Sequence, residues 1–132
     1  MDWITENIAI GNYLDAAKAH DKGISSILCL RENCCSEDNE LVDVLAIPLL
    51  DGPGNQLRNI KDALDYIDEI VKANENILVH CHAGRSRSVC IVARYLMESR
   101  ALTSHQALSL IESIREIYLS NGIEEILYMP LK

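Results

Sequence analysis

The stretch that decides the fold lies past the middle of the chain and reads Ile77-Leu78-Val79-His80-Cys81-His82-Ala83-Gly84-Arg85-Ser86-Arg87-Ser88. It begins as a short apolar run typical of a β-strand, becomes a polar loop containing glycine, and continues as a helical pattern from about Arg87. A strand, a glycine-containing loop and a helix N-terminus together hold anions with backbone N–H groups. The stretch therefore predicts a loop that binds a phosphoryl group.

A cysteine opens this loop and an arginine closes it. Arg87 follows Cys81 six positions later, and Ser88 comes next. In a loop curled before a helix, the N–H groups from about His82 to Arg87 point into one hollow with Cys81 at its floor. An unperturbed cysteine titrates near pH ~8.5, and a helix N-terminus and nearby cations lower this value to roughly 3.5–7.5. We therefore expect Cys81 to be largely thiolate at neutral pH, with the planar fork of Arg87 gripping two phosphoryl oxygens. Gly84 is expected to take a positive φ and to leave room for the phosphate.

The run His80-Cys81-x-x-Gly84-x-x-Arg87-Ser88 resembles the signature of cysteine-dependent protein phosphatases, and in particular their small dual-specificity branch. The likeness extends beyond the loop. In that family a general-acid aspartate lies on a separate loop well upstream of the cysteine. Asp51, within Pro48-Leu49-Leu50-Asp51-Gly52-Pro53-Gly54, lies thirty positions before the cysteine. The opening Ile8-Ala9-Ile10-Gly11-Asn12 is also similar to the way such domains begin.

The resemblance implies a role for each of these residues. Cys81 would be the nucleophile, Asp51 would protonate the leaving oxygen and then act as base, and Ser88 would help the sulfur to leave in the second step. His80, directly before the nucleophile, would fix the loop and the environment of the cysteine. The substrate phosphate would be held by the loop residues His82, Ala83, Gly84, Arg85, Ser86 and Arg87. No metal or other cofactor is expected, because the loop amides and the arginine provide the charge stabilisation that Mg²⁺ gives elsewhere.

The substrate implied by the resemblance is a phosphorylated protein. A chain of 132 residues lacks room for the extra loop that deepens the pocket in larger tyrosine-specific relatives. The pocket should therefore admit phosphotyrosine as well as phosphoserine or phosphothreonine. Three other functions stay open: a phosphatase of a phosphoinositide or an RNA 5′-phosphate, a non-catalytic phosphoprotein-binding module, and a thiol redox enzyme or sulfur transferase. The loop lacks the lysines of phosphoinositide-directed members, and its Arg-Ser ending disfavours a redox enzyme.

Each residue also has a purely structural interpretation. Cys81 could be a buried thiol at a strand end, and Asp51 could serve only the turn it begins. His80 could be a hydrogen-bonded structural residue, and Cys90 is typical of core packing rather than of a resolving thiol. The triplet His80-Cys81-His82 is a poor zinc site, because neighbours on a strand point to opposite faces and structural zinc sites use spaced ligand pairs.

Composition narrows the class of protein. Hydrophobic residues make up 48% of the chain and charged residues 24%, which is ordinary for a globular protein. The net charge of −8 argues against a nucleic acid or an anionic membrane surface as partner. The chain has no apolar run long enough for a membrane span, and its opening lacks the pattern of a signal segment, so we expect a cytoplasmic protein and a monomer. The cysteines are odd in number, lack paired spacing and are predicted to be free thiols: Cys29, Cys34, Cys35, Cys81 and Cys90.

The apolar periodicity predicts an α/β fold. Strands are expected at residues 7–10, 24–30, 42–50 and 77–80, and helices at 13–20, 56–74, 87–99, 103–115 and about 122–128. A polar loop at 31–39 carries the Cys34-Cys35 pair. This alternation predicts a single domain over residues 1–132, with a central, mostly parallel, twisted sheet of four to five strands flanked by helices on both faces. The phosphate loop would then lie at the carboxyl end of a central strand, where open α/β sheets bind ligands.

Overall fold

A mixed sheet carries the predicted phosphate loop at its centre. The computed structural model describes residues 1–32 and 41–131, and within them the sheet has five strands. The strands are β1 (Asp2–Trp3), β2 (Ile8–Gly11), β3 (Ser26–Cys29), β4 (Asp43–Ala46) and β5 (Ile77–His80). Their spatial order is β1-β2-β5-β3-β4, with every neighbouring pair parallel except β1 and β2. The mostly parallel sheet predicted from the sequence is confirmed, and β1, a two-residue edge strand, is an addition to it.

The register places three strand ends side by side. His80 at the end of β5 pairs with Gly11 of β2 on one side and with Cys29 of β3 on the other. The carboxyl ends of parallel strands share one edge of a sheet, and ligands of open α/β sheets bind in the crevice there. Cys81 therefore leaves the sheet at its central position, flanked by the ends of β2 and β3.

The predicted strand at 42–50 was too long. Regular pairing in β4 ends at Ala46, because Pro48 has no N–H to donate to a ladder. The chain nevertheless keeps running beside β3, since Ile47 donates to the Cys29 carbonyl (2.9 Å) and Leu49 donates to the Leu30 carbonyl (3.1 Å). This extended continuation carries the chain to the edge of the sheet where Asp51 lies. Most of the predicted polar loop at 31–39, with Cys34 and Cys35, falls outside the described residues.

Three α-helices lie where the apolar periodicity predicted them: α1 (Leu57–Lys72), α2 (Arg87–Arg100) and α3 (Ser104–Glu112). The helix predicted at 103–115 ends earlier, at Glu112. A tight turn follows, in which the N–H of Arg115 donates to the Ile111 carbonyl (2.9 Å). The helical segments predicted at 13–20 and 122–128 are 3-10 helices, which cover Asp15–Lys18, His20–Lys22 and Ile123–Leu127.

The two faces of the sheet are covered unequally. Strand residues such as Ile10 and Val79 face a large core shared with the three α-helices, whereas Leu78 faces a small cluster containing Ala16 and Ala19. The predicted flanking of the sheet by helices on both faces is confirmed, with the α-helices on one face and the 3-10 helix Asp15–Lys18 on the other. The segment of about ten residues before Gly23 is too short for a stable α-helix, and its left-handed glycine (φ 82°) ends it. No helix among the described residues is long and apolar enough to cross a membrane.

Candidate active site

The loop between β5 and α2 rests directly on the end of β2. Gly84, in the middle of the loop, has a φ of 70°, a region that favours glycine. A Cβ at this position would lie 2.5 Å from the carbonyl oxygen of Gly11 and 2.9 Å from Nη2 of Arg115. Any side chain would therefore push the loop away from the sheet. The positive φ predicted for Gly84 is confirmed, and the close approach is to the protein's own backbone.

Cys81 lies at the base of a cavity of about 240 Å³ at this edge of the sheet. Its thiol is 2% exposed, and its Sγ is 3.3 Å from Oγ of Ser88. Burial alone would raise the pKa of the Cys81 thiol. Hydrogen bonds from the Ser88 hydroxyl and from the N–H groups of Ser88 and Gly84, together with the charge of Arg87, outweigh burial and lower the pKa below its ordinary value. The site therefore favours the thiolate, the form that can act as a nucleophile.

Arg87 begins α2 and lines the same cavity. Its Nη1 donates to the carbonyl oxygens of Leu30 (3.4 Å) and Leu49 (3.3 Å), which tie the guanidinium to the ends of two neighbouring segments. Its Nε is buried and has no hydrogen-bond partner among the described residues. Buried donors in proteins are almost always paired, so this N–H suits an acceptor brought by a ligand. An arginine held in this way meets an oxyanion with a preset orientation.

Asp51 also lines the cavity and is held at both carboxylate oxygens. The Ser86 hydroxyl donates to Oδ1 at 2.6 Å, and the Ser120 hydroxyl donates to Oδ2 at 2.7 Å. The N–H of Ser120 in turn donates to Oγ of Ser86 at 3.0 Å. Sequence reasoning missed Ser120, because nothing in its local pattern links it to a carboxylate 69 positions away.

The side chains of the loop form the rim of the cavity. His82 is exposed and stacks on the ring of Tyr13, with centroids 4.9 Å apart. The guanidinium of Arg31 lies over the same Tyr13 ring, 4.8 Å from its centroid. Arg85 pairs with Glu116 at 3.7 Å. Stacking fixes the His82 ring at the rim, whereas a distant pair between exposed side chains constrains Arg85 only weakly.

Tyr118 forms the opposite part of the rim. Its side chain is 74% exposed, and its N–H donates to the carbonyl oxygen of Arg85 at 2.9 Å. A second hollow of about 350 Å³ adjoins the first and shares Asp51, His82 and Arg87 with it. Sequence reasoning also missed Tyr118, which lies in an irregular segment with no recognisable pattern.

Two further buried residues lie close to the nucleophile, one directly before it in the chain and one in the main core. His80 is fully buried, its Nδ1 lies 3.4 Å from the Cys81 carbonyl oxygen, and burial lowers its pKa, so the neutral ring is favoured. Cys90 lies in the main core, and burial, followed by the charges of Glu124, Asp51 and Cys81, raises its pKa to about 12. A thiol with that pKa is a poor nucleophile at neutral pH, which agrees with the interpretation of Cys90 as core packing.

The structure thus brings most of the predicted residues to one cavity. Its walls include Asp51, Cys81, His82, Ala83, Arg85, Ser86 and Arg87. Three others lie behind the wall, where Ser88 contacts the sulfur, Gly84 supports the loop and His80 underlies it. A cysteine that favours its thiolate, a guanidinium and a carboxyl group therefore line one cavity.

A family model described as "Dual specificity phosphatase, catalytic domain" matches residues 8–128 of the chain. Dual specificity protein phosphatase 22 of Xenopus tropicalis is 34% identical over 119 residues, which cover 87% of this chain and 56% of that protein. The human protein of the same name is 36% identical over 101 residues, which cover 74% of this chain and 54% of that protein. The chain therefore spans about half the length of these curated relatives.

Solved structures show the same fold. The human tyrosine phosphatase-like serine/threonine/tyrosine-interacting protein superposes with a TM-score of 0.87 at 25% identity, covering 97% of this chain and 93% of that one. A mouse putative dual specificity phosphatase superposes with a TM-score of 0.86 at 23% identity, covering 96% of this chain and 83% of the other, and so supports the fold alone. With the family model matching nearly the whole chain, the protein belongs to the dual specificity phosphatase catalytic domain family.

Proposed function

We propose that this chain is a metal-independent protein phosphatase that hydrolyses phosphotyrosine, and also phosphoserine or phosphothreonine, through a cysteinyl-phosphate intermediate. One observation carries the proposal. Cys81, with its pKa lowered, shares a cavity with the guanidinium of Arg87 and the carboxylate of Asp51. A nucleophile, an oxyanion-binding group and an acid–base group in one cavity form a set suited to phosphate-ester hydrolysis.

In the first step the Cys81 thiolate attacks phosphorus in line with the ester oxygen. The S–P bond forms while the P–O bond to the leaving group breaks, and Asp51 gives its proton to the departing oxygen. Arg87 and the loop amides hold the equatorial oxygens, on which negative charge accumulates. The buried Nε of Arg87, unpaired among the described residues, supports this role because a phosphoryl oxygen would satisfy it.

In the second step water attacks the cysteinyl-phosphate and the S–P bond breaks. Asp51, now ionised, takes the proton of the attacking water and is thereby returned to its acid form. The sulfur leaves as a thiolate, and the Ser88 hydroxyl 3.3 Å away can donate a hydrogen bond to it. This contact supports the role that the family resemblance implies for Ser88.

The substrate of the proposal is a phosphorylated protein. A cavity of about 240 Å³ with an exposed rim suits a single phosphorylated side chain rather than a deeply buried ring, and the adjoining hollow of about 350 Å³ offers space for a flanking residue. The names of the relatives point to dual specificity in those proteins. The proposal further takes the reducing cytoplasm as the compartment, where a thiolate stays available, and the monomer as the active unit.

The test is hydrolysis of phenyl phosphate, whose leaving group needs protonation, in the presence of a metal chelator. Wild type is expected to turn over, Cys81→Ser to lose turnover while still binding the ester, and Asp51→Ala to be slower by about 10²-fold or more. Cys90→Ala and Asp62→Ala replace the same residue types at positions that do not line the cavity and serve as matched controls, with thermal unfolding used to check that all variants fold. Each control is expected to retain the wild-type rate.

Three results would contradict the proposal: no turnover by wild type, activity that depends on added metal, or an active Cys81→Ser variant. Phosphotyrosine and phosphothreonine peptides and a phosphoinositide belong in the same assay. The last is included because a structure of PTPMT1 in complex with PI(5)P shares the fold, with a TM-score of 0.77 at 20% identity. Hydrolysis of the lipid but neither peptide would replace the protein substrate with a phosphoinositide.

A further inference from the structure

We propose that Ser120 is a positioning residue that holds the Asp51 carboxylate in place for proton transfer, a role that rests on the phosphatase function proposed above. The residue lies near the C-terminal end of the described chain, far in sequence from both the acid and the nucleophile. The proposal follows from hydrogen bonds that join three separate segments at one carboxylate.

The first observation is that both oxygens of Asp51 accept a hydroxyl hydrogen bond. Ser120 donates to Oδ2 at 2.7 Å and Ser86 donates to Oδ1 at 2.6 Å. The backbone of Ser120 also donates to Oγ of Ser86 at 3.0 Å. Ser120 therefore acts on Asp51 twice, directly through its hydroxyl and indirectly by orienting the second serine.

The second observation is that the segment around Ser120 supports the whole loop that carries Asp51. Oε1 of Glu125 accepts a hydrogen bond from the N–H of Gly54 at 2.6 Å. A Cβ at Gly122 would lie 2.7 Å from Cδ of Pro53, so these two residues are already in close contact. The acid loop is thus docked on residues 120–125 at three points, of which only the contact of Ser120 reaches the carboxylate.

The third observation is that Asp51 needs this support. Its side chain is exposed, whereas the base of its loop is fixed by the buried Asn55. The side-chain oxygen of Asn55 accepts from the Leu50 N–H, and its NH₂ group donates to the carbonyl oxygens of Leu50 and Gly52. Without the hydroxyl of Ser120, Oδ2 of an exposed carboxylate would be free to rotate away from the cavity. Small displacements of a reacting group cost rate steeply, because proton transfer requires hydrogen-bond reach.

The experiment is a double-mutant cycle read out with two esters. Ser120→Ala, Asp51→Ala and the double variant are assayed on a nitrophenyl phosphate, whose leaving group needs little protonation, and on a simple alkyl phosphate, whose leaving group needs it fully. We expect Ser120→Ala to leave the nitrophenyl ester within about twofold of wild type and to slow the alkyl ester by about tenfold. In the Asp51→Ala background the same substitution should change neither rate.

Three further variants separate positioning from folding. Ser120→Thr keeps a hydroxyl and is expected to restore the alkyl-phosphate rate. Ser113→Ala removes an exposed serine hydroxyl that donates to the Leu110 carbonyl (2.6 Å), and it is expected to behave as wild type. Glu125→Ala removes the other polar anchor of the loop and should show the same dependence on the leaving group in weaker form, so the inference can be judged even where Ser120→Ala unfolds.

The inference fails if Ser120→Ala slows both esters equally, or if it still slows the reaction when Asp51 is alanine. It also fails if neither Ser120→Ala nor Glu125→Ala distinguishes the two esters. Failure of the underlying function gives a different result: wild type is then inert towards both esters, or Asp51→Ala shows no dependence on the leaving group, and both proposals are overturned together.

Discussion

At the scale of single residues, the site residues that were predicted from their spacing lie close together in the sequence, whereas Ser120, which was missed, makes its contact with Asp51 across a long sequence separation. The spacing of Cys81, Gly84 and Arg87 is local, because the loop amides and the helix N-terminus are formed by the same few residues, so a strand–loop–helix pattern sufficed to place them. Asp51 came from the family resemblance alone. Ser120 could not be found at all, because its contact depends on how the last segment packs against the acid loop.

Gly84 offers a prediction about backbone sterics. Gly84→Ala introduces a Cβ that would lie 2.5 Å from the Gly11 carbonyl oxygen, at a φ of 70°. We expect a loss of about 1–3 kcal/mol in the free energy of unfolding and a fall in kcat/KM of about a hundredfold as the loop is displaced. Urea unfolding and aryl phosphate hydrolysis check these two effects.

The matched control is Gly23→Ala, at a glycine with a similar φ of 82° but with its nearest neighbouring atom 3.9 Å away. This variant should show only the strain of the positive φ, about 1 kcal/mol, and wild-type activity. Equal losses of activity in the two variants would contradict the steric explanation.

Ser88 offers a prediction about pH. The hydrogen bond from its hydroxyl helps to lower the pKa of the Cys81 thiol against the opposing effect of burial. Removing it with Ser88→Ala raises that pKa, so the thiolate disappears at a higher pH as the solution is acidified. The midpoint of iodoacetamide labelling against pH should therefore lie below that of an ordinary cysteine in wild type and shift upward in Ser88→Ala.

Cys90 serves as the internal reference for this measurement, because burial raises its pKa to about 12 and its labelling should stay negligible throughout. Peptide mapping by mass spectrometry separates the two cysteines. A labelling midpoint for Cys81 that is the same in wild type and Ser88→Ala would show that the hydroxyl does not act on the sulfur.

At the scale of elements, the apolar pattern succeeded where an element has a continuous apolar face or a fully buried run. The helices α1 and α2 and the strand β5 were predicted to within a residue or two, because each buries a continuous face. The two-residue strand β1 was missed. The strand β1 forms by pairing with β2, in which Asp2 lies opposite Ile10. A two-residue segment is too short for its sequence to indicate such a pairing.

The start of α3 offers a prediction about stability. Thr103 forms a capping box: its hydroxyl accepts from the Gln106 N–H (3.1 Å) and its own N–H donates to the Gln106 side chain (2.9 Å). Thr103→Ala should lower the free energy of unfolding by about 1 kcal/mol, because the Gln106 N–H in the first turn loses its side-chain acceptor. Urea unfolding measures the change, with Ser104→Ala as the neighbouring control. A loss in the control as large as in Thr103→Ala would argue against the cap.

At the scale of the whole molecule, the class of fold could be predicted from the sequence, whereas the order of the strands in the sheet could not. Alternation of strands and helices indicates a mostly parallel sheet, but which strands become neighbours depends on how the helices pack. The placement of β5 between β2 and β3 is therefore information that only the structure supplies. The same holds for the unequal covering of the two faces, which depends on the small residues Ala16 and Ala19.

The net charge of −8 gives a prediction at this scale. A negatively charged molecule repels a phosphopeptide with acidic flanking residues and attracts one with basic flanking residues. Raising the ionic strength shortens the screening length from about 10 Å at 0.1 M to about 3 Å at 1 M. We expect kcat/KM to rise severalfold with salt for the acidic peptide and to fall for the basic peptide.

A phosphopeptide with uncharged flanks is the reference for this comparison and separates charge effects from general effects of salt. A fall in kcat/KM with salt for the acidic peptide and a rise for the basic one would show that the local arginines at the rim, Arg31 and Arg85, dominate over the overall charge, and equal salt dependence for all three would contradict the prediction.

The contact between Gly84 and Gly11 determines where selectivity can arise. Gly11 is itself confined from below, since a Cβ there would lie 2.6 Å from Oδ2 of Asp15 and 3.0 Å from Cβ of Met1. The loop at the base of the cavity therefore has no space to move into when it binds substrates of different shapes. Selectivity between phosphorylated substrates then arises at the entrance of the cavity, where Tyr118 and Arg85 can change rotamer. Substitutions meant to change substrate preference should be made at these two positions.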